Sequence, residues 1–197
     1  MGLTLHYNGT INKDASLSEL IDEVKDIAEI YNWTYTIYED KFPEDSFNNP
    51  QNDGKIYGIS FTPPNSETVN ICFLSNGRMS SLPNLKFWGE SNDEQQKKYL
   101  YMLSAKTQFA GSTTHKLIVH LLKYLSKKYL NEFNVIDEGN YWETGDEVLL
   151  EQTFEKYNYF LNAVGDALEY IPLKEGEDFE TYFLRIMKQI NDRKNKK

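Results

Sequence analysis

The hydrophobic period of this chain changes near residue 90, and that change restricts the fold more than any single motif does. Through residues 1–90, apart from one early helix, apolar side chains recur at alternate positions; beyond 90 they recur at spacings of three and four. A period of two buries one face of a strand, and a period near 3.6 buries one stripe of a helix. Strands gathered in one part of a chain and helices in another argue against the regular alternation that builds a parallel sheet. They point to an α+β fold.

The strand-rich part begins with Leu3, Leu5 and Tyr7 on one face, ending near Asn8-Gly9 or just beyond. Ser16 followed by Glu19 has the spacing of a capping box, and Leu17, Leu20, Ile21, Val24, Ile27 and Ala28 continue it as one apolar stripe. Trp33 to Tyr38, 55–62 and Val69 to Phe73 read as strands, with a Pro, Asn, Asp and Gly-rich loop over 40–54. Asn76-Gly77 is a strong hairpin-turn signal, so a return strand is expected from Arg78 to Leu82. The sum is a curved, mainly antiparallel sheet of about five strands in the order β-α-β-β-β-β-α. Helices cover one face and a C-terminal helical layer is added. This order is similar to that of helix-on-sheet folds such as the TATA-binding-protein-like group, a likeness of order alone that carries no function.

In the second part a short helix is expected over 92–104, a break at Phe109-Ala110-Gly111, and a firmer helix over 113–130. Its apolar arc holds Leu117, Ile118, Leu121, Leu122, Leu125 and Tyr129, with lysines toward the end that the helix dipole favours. Phe133 to Ile136 is a short strand. From 147 to 170, Leu150, Phe154, Tyr157, Leu161, Val164, Leu168 and Ile171 are spaced 4, 3, 4, 3, 4, 3, which is a run of heptad a and d positions. Pro172 ends that helix, and a last one starts near Asp178, burying Phe179, Tyr182, Phe183, Ile186, Met187 and Ile190 before a basic tail of Arg193, Lys194, Lys196 and Lys197. One domain over 1–197 is expected, sheet-rich to 90 and mainly helical from 91. A homodimer through the 147–190 helices is a further expectation.

Composition narrows the function. A 40% apolar content with 14 tyrosines and 11 phenylalanines argues for a folded core despite a net charge of −9. No apolar run approaches the ~18 residues of a membrane span. MGLTLHYNGT has no charged n-region leading into an apolar h-region, so a cytoplasmic setting is expected. The lone Cys72 excludes an internal disulfide and a multi-cysteine metal site, and alternates within an apolar strand as a core residue would. No cofactor and no metal are expected. Charge is segregated: residues 86–131 carry 8 basic and 3 acidic side chains, while 132–180 carry 2 and 14. The lysines of 116–128 and the tail mostly decorate helix ends on an acidic body, so nucleic acid is not the expected partner.

Glycine-rich phosphate loops, HExxH, paired CxxC and G-x-S-x-G are all missing. His115 and His120 lie about 140° apart around their helix, so one ion cannot easily take both. His120 shares a face with Lys116, Lys123 and Lys127 and reads as solvated; His6 supports nothing specific. His115 follows Gly111-Ser112-Thr113-Thr114. That segment either caps its own helix, or leaves a neutral imidazole to act as a base or ligand.

The stretch 137–147 is the best functional candidate. Five carboxylates, two glycines, Tyr141 and Trp142 fall between a strand and a helix. Thr144 and Glu147 have capping-box spacing for the helix that follows. Asp137, Glu138, Tyr141, Trp142, Glu143 and His115 are therefore the expected binding residues. The favoured reading is a non-catalytic binding or interaction protein that presents an acidic, aromatic loop to a basic protein partner. The alternative is a small hydrolase or metal-dependent enzyme using His115 with Asp137, Glu138 or Glu143.

Overall fold

A computed structural model describes residues 2–49 and 51–194, without the side chains of Asn191, Arg193 and Lys194. The basic tail expected at the C-terminus therefore lies outside what is described, apart from the backbone of Arg193 and Lys194. The chain divides into two compact units between Leu150 and Glu151.

The first unit is α+β, as the change of period requires. Its elements are β1 (Thr4–Ile11), α1 (Leu17–Ile30), β2 (Thr34–Ile37), β3 (Tyr57–Thr62), β4 (Val69–Phe73), α2 (Leu82–Trp88) and α3 (Glu94–Lys97). A 3-10 turn at Lys98–Tyr101 leads to β5 (Leu103–Lys106), α4 (Gly111–Lys128), β6 (Leu130–Asp137) and α5 (Tyr141–Thr144). The expected single sheet of about five strands is not formed. Two three-stranded antiparallel sheets stand in its place, ordered β5-β1-β6 and β2-β3-β4.

The reason lies in residues 77–80. Gly77 closes the hairpin turn after β4 at φ +80°, a conformation open to glycine, but the return segment is shared. Leu74 N–H donates to the Arg78 carbonyl and Ser80 N–H to Cys72 on one side; Ile11 N–H donates to Gly77 and Met79 N–H to Gly9 on the other. The pairing on each side is only one bridge long, Arg78 with Thr10 and Met79 with Phe73, because Ser81 already caps the next helix, so no strand forms. Ser81 then accepts from Asn84 N–H and starts α2 with Pro83 in its first turn.

One further expectation is corrected. The helix expected over 92–104 stops early, because Leu103 and Ala105 bury alternately and pair with Tyr7 and Leu5 as β5. β1 ends just beyond Asn8-Gly9, at Ile11, and its register shifts between Asn8 and Thr10, where a Cβ on Gly9 would meet the Phe133 ring at 2.9 Å.

The N-cap half of the expected capping box forms: Ser16 accepts from Glu19 N–H at 3.2 Å, and α1 buries Leu17, Leu20, Ile21, Val24 and Ala28. It packs on β2 and β3, while α4 packs on β6. Cys72 is buried with Ile56, Leu74 and Leu100 beneath α2, and burial pushes its thiol well above the ordinary range.

The first turn of α6 (Glu147–Tyr170) belongs to this unit, and its remainder with α7 (Phe179–Lys194) forms the second. There Ala167, Tyr182, Ile186 and Ile190 make a small core with Ala163, Val164 and Ile171 around it. The heptad seam is thus only partly used. Leu161 and Leu168 are exposed, and so are Phe179 and Phe183, which were expected to be buried. Asp178 caps α7 through Thr181 N–H, and Arg185 grips Glu177 through two nitrogens at 2.8 and 2.7 Å. That grip holds the Glu177 carboxyl down at about 2.

Gly58 sits mid-strand in β3 at φ +119°, where an added Cβ would lie 2.4 Å from the Ile71 carbonyl oxygen. Neither the backbone conformation nor the space admits a side chain. Gly58→Ala is expected to cost ~2 kcal/mol or more in urea unfolding. An unchanged midpoint would contradict this packing.

Candidate functional site

The site is built where β5, β6 and the start of α4 come together around β1. Thr107 follows β5 directly, and its N–H donates to the Leu3 carbonyl at 2.9 Å. Gly111 at φ +87° then turns the chain into α4, which places His115 on the buried side of the second turn. β6 delivers Asp137 from the opposite edge of β1, in register with Leu5.

These three side chains form one hydrogen-bonded chain. Thr107 Oγ1 lies 2.7 Å from His115 Nδ1 and 3.2 Å from the Leu3 carbonyl oxygen. His115 Nε2 lies 3.1 Å from Asp137 Oδ1 and 3.2 Å from Oδ2. An ionised carboxylate only accepts, so Nε2 is the nitrogen that carries the proton toward Asp137. Asp137 also accepts the N–H groups of Gly139 at 2.7 Å, Tyr141 at 2.8 Å and Trp142 at 2.8 Å. Burial alone would raise the Asp137 carboxyl. The hydrogen bond and attraction of His115, with the Trp142 and Gly139 amides, outweigh it and hold the group below its ordinary value of 3.8.

Geometrically this is a hydroxyl, an imidazole and a carboxylate in series. Chemically it is sealed. Thr107 and His115 have no exposed surface and Asp137 has 4%. Gly139 closes the remaining side, since a Cβ there would be 3.1 Å from His115 Nε2 and 2.9 Å from Leu150. A base must come within hydrogen-bond reach of a reacting group, and the atoms around this imidazole all belong to the chain itself. The arrangement instead fixes a turn. Asp137 plays the part of a helix cap, gathering the first amides of α5 while Asn140 takes the left-handed conformation at φ 56°.

The other expected residues are divided by the same turn. Tyr141 is buried, with its hydroxyl 3.1 Å from His120 Nε2, so His120 is exposed yet bonded and not merely solvated. Trp142 is half-buried, edge-on to Phe133 at 5.8 Å with Lys123 Nζ 5.4 Å from its ring. Glu138 extends the β1 edge, accepting Thr4 N–H at 2.9 Å and standing 3.9 Å from His6 Nε2. Glu143 is exposed. Thus His115 and Asp137 meet, while Glu138 and Glu143 do not join them.

Two local readings change. Thr144 and Glu147 do not form the capping box of α6. Thr144 ends α5, its hydroxyl donating to the Asn140 carbonyl and accepting Asp146 N–H. The cap is Asp146, which accepts Leu149 N–H at 2.9 Å, and Glu147 pairs with Lys116 at 2.7 Å. Thr107 was missed altogether, because a lone threonine after a four-residue strand leaves no periodic or motif signal.

Among the described residues no group of three His, Cys, Asp or Glu side chains is placed to hold a metal ion. None of the described helices is long and apolar enough to cross a membrane. No protein-family model matches the chain, and no curated protein or solved structure matches it.

Asp137→Asn removes the charge that His115 and three amides address. A loss of about 3 kcal/mol in urea unfolding is expected, as for a buried pair deprived of one partner. Because the folded carboxyl titrates below its unfolded value, its contribution is complete above the ordinary 3.8 and fades as pH falls through the lowered folded value. Wild-type stability should carry this acid-sensitive component and the variant should lack it. Equal stability at neutral pH would show that the pair does not hold the turn.

Proposed function

We propose that this chain is a non-catalytic binding protein whose acidic, aromatic 137–147 turn meets a basic protein partner. The observation that supports this reading is the division of the turn into two sides. Its inner side spends Asp137 and Tyr141 on the fold. Its outer side offers Glu138, Glu143 and Asp146, with part of the Trp142 ring, to solvent.

Trp142 is held between Phe133 and Lys123, so little side-chain freedom is lost when a partner covers its open face. Within the same unit, residues 132–150 carry six acidic and no basic side chains, a field that draws a basic surface and rejects an acidic one. The hydrolase reading draws on the His115–Asp137 contact, yet it needs a substrate atom where Thr107, Gly139 and Leu150 already stand. A homodimer through the 147–190 helices would cover Leu161, Leu168, Phe183 and Leu184, and light scattering at high micromolar concentration separates dimer from monomer.

Glu143→Lys tests the outer side without touching a residue that caps a helix or bridges a strand. Recovery from a lysate of the source cells is the readout, with bound proteins quantified by mass spectrometry. A basic protein should be retained at low salt, be released at high salt, and fall several-fold on the variant. Recovery that is independent of salt and of Glu143→Lys would contradict the proposal.

A further inference from the structure

A second feature of the first unit has the opposite charge. Where the 77–80 segment bridges the two sheets, the Arg78 side chain leaves the protein and its guanidinium carbon rests 3.2 Å from the centre of the Tyr101 ring. The Tyr101 hydroxyl in turn faces Asn76 Nδ2 at 3.3 Å. The stacking fixes where the guanidinium sits but uses none of its N–H donors. Among the described residues Arg78 has no ion pair and its side chain makes no hydrogen bond, whereas Arg185 spends its donors on Glu177 and Pro172.

Two cavities meet at this point. One has a volume of about 1040 Å³ and the other about 290 Å³, and Arg78, Lys98 and Tyr101 line both. The larger runs between the 51–54 loop and the α2–α3 segment, with Leu82, Leu85 and Leu100 as its apolar wall. Its charges do not cancel. Lys97 is taken by Glu94 at 2.9 Å, which leaves Arg78, Lys86 and Lys98 against Glu90 in the larger cavity and Glu132 in the smaller. On a chain of net charge −9, a groove with surplus positive charge and unspent guanidinium donors is a local reversal of the overall field. Its size is that of a small-molecule site.

We propose that this groove binds a small phosphorylated molecule, with the phosphate at Arg78 and Lys98 where the two cavities join. A dianionic group matches two cations better than a single carboxylate does, and a planar guanidinium addresses two phosphate oxygens at once. The rest of the ligand lies along Leu82 and Leu85 in the larger cavity. A nucleic-acid strand fits less well, because it would have to pass Glu132 at the smaller cavity and cross an acidic body.

Calorimetry and two-dimensional NMR on the full chain test this with inorganic pyrophosphate, and with ATP against adenosine. Millimolar pyrophosphate should shift the Arg78 Nε–H resonance, and ATP should bind while adenosine does not. Arg78→Gln and Lys98→Gln should each weaken ATP binding at least about tenfold. Glu90→Gln should strengthen it, a gain that no folding defect can mimic. An unmoved Arg78 resonance, equal binding of adenosine and ATP, or wild-type affinity in Arg78→Gln would each overturn the proposal.

Discussion

A buried carboxylate must have its acceptor positions filled, and in this protein that requirement organises a whole corner of the fold. Asp137 takes one imidazole N–H and three backbone N–H groups. Filling those positions dictates the rest. Gly139 has to lack a side chain, and the chain has to turn through a left-handed Asn140 so that α5 points its first amides inward. His115 has to come from α4, and Thr107 has to hold the far ring nitrogen while anchoring to Leu3 on β1. Strands on both sides of β1 and two helices are thereby tied to one charged group. Charge-assisted hydrogen bonds of this kind exceed neutral ones in strength, and leaving any of them unmade is costly.

That inner commitment decides what the outer surface can do. A His–Asp pair in an open cleft is chemistry in waiting, but here its neighbours are already in place. Among the described residues Glu143 is left to the solvent without a hydrogen bond or ion pair, next in sequence to a tryptophan that is held but not covered. Elsewhere on the same unit, the junction between the sheets exports an arginine whose guanidinium donors the fold does not use. The segregation of charge along the sequence thus resolves into two surfaces of opposite sign, along with the helix-end lysines that merely match dipoles.

What was legible in the sequence follows the range of each interaction. Ser16 and Glu19 determine a cap within four residues, so α1 could be read directly, and Asn76-Gly77 likewise announced its turn. The α+β class followed from the change of period. Residues 78–82 misled because their fate depends on β1, about seventy residues away, which bonds the edge that β4 leaves open, and on Ser81, which caps α2 before a strand can extend. Leu103–Lys106 is too short to show its own period. At the site, the sequence offered His115 three carboxylate partners, Asp137, Glu138 or Glu143, of which the fold brings Asp137 to it, and the role of that pair was not readable. Whether an aspartate faces solvent or collects amides depends on the path of the next five residues, and Thr107 contributes through a contact that no local pattern records.

The Thr107–His115–Asp137 chain is closed to solvent and serves the turn. Modification of the native protein with diethylpyrocarbonate, mapped by mass spectrometry, tests it most directly, because His6, His115 and His120 are the only three histidines. His6 and His120 are exposed and His115 is fully buried. Rapid labelling of His6 and His120, with His115 unmodified until the protein is unfolded, is the expected result. Labelling of His115 in the folded protein at the rate of His6 would contradict it.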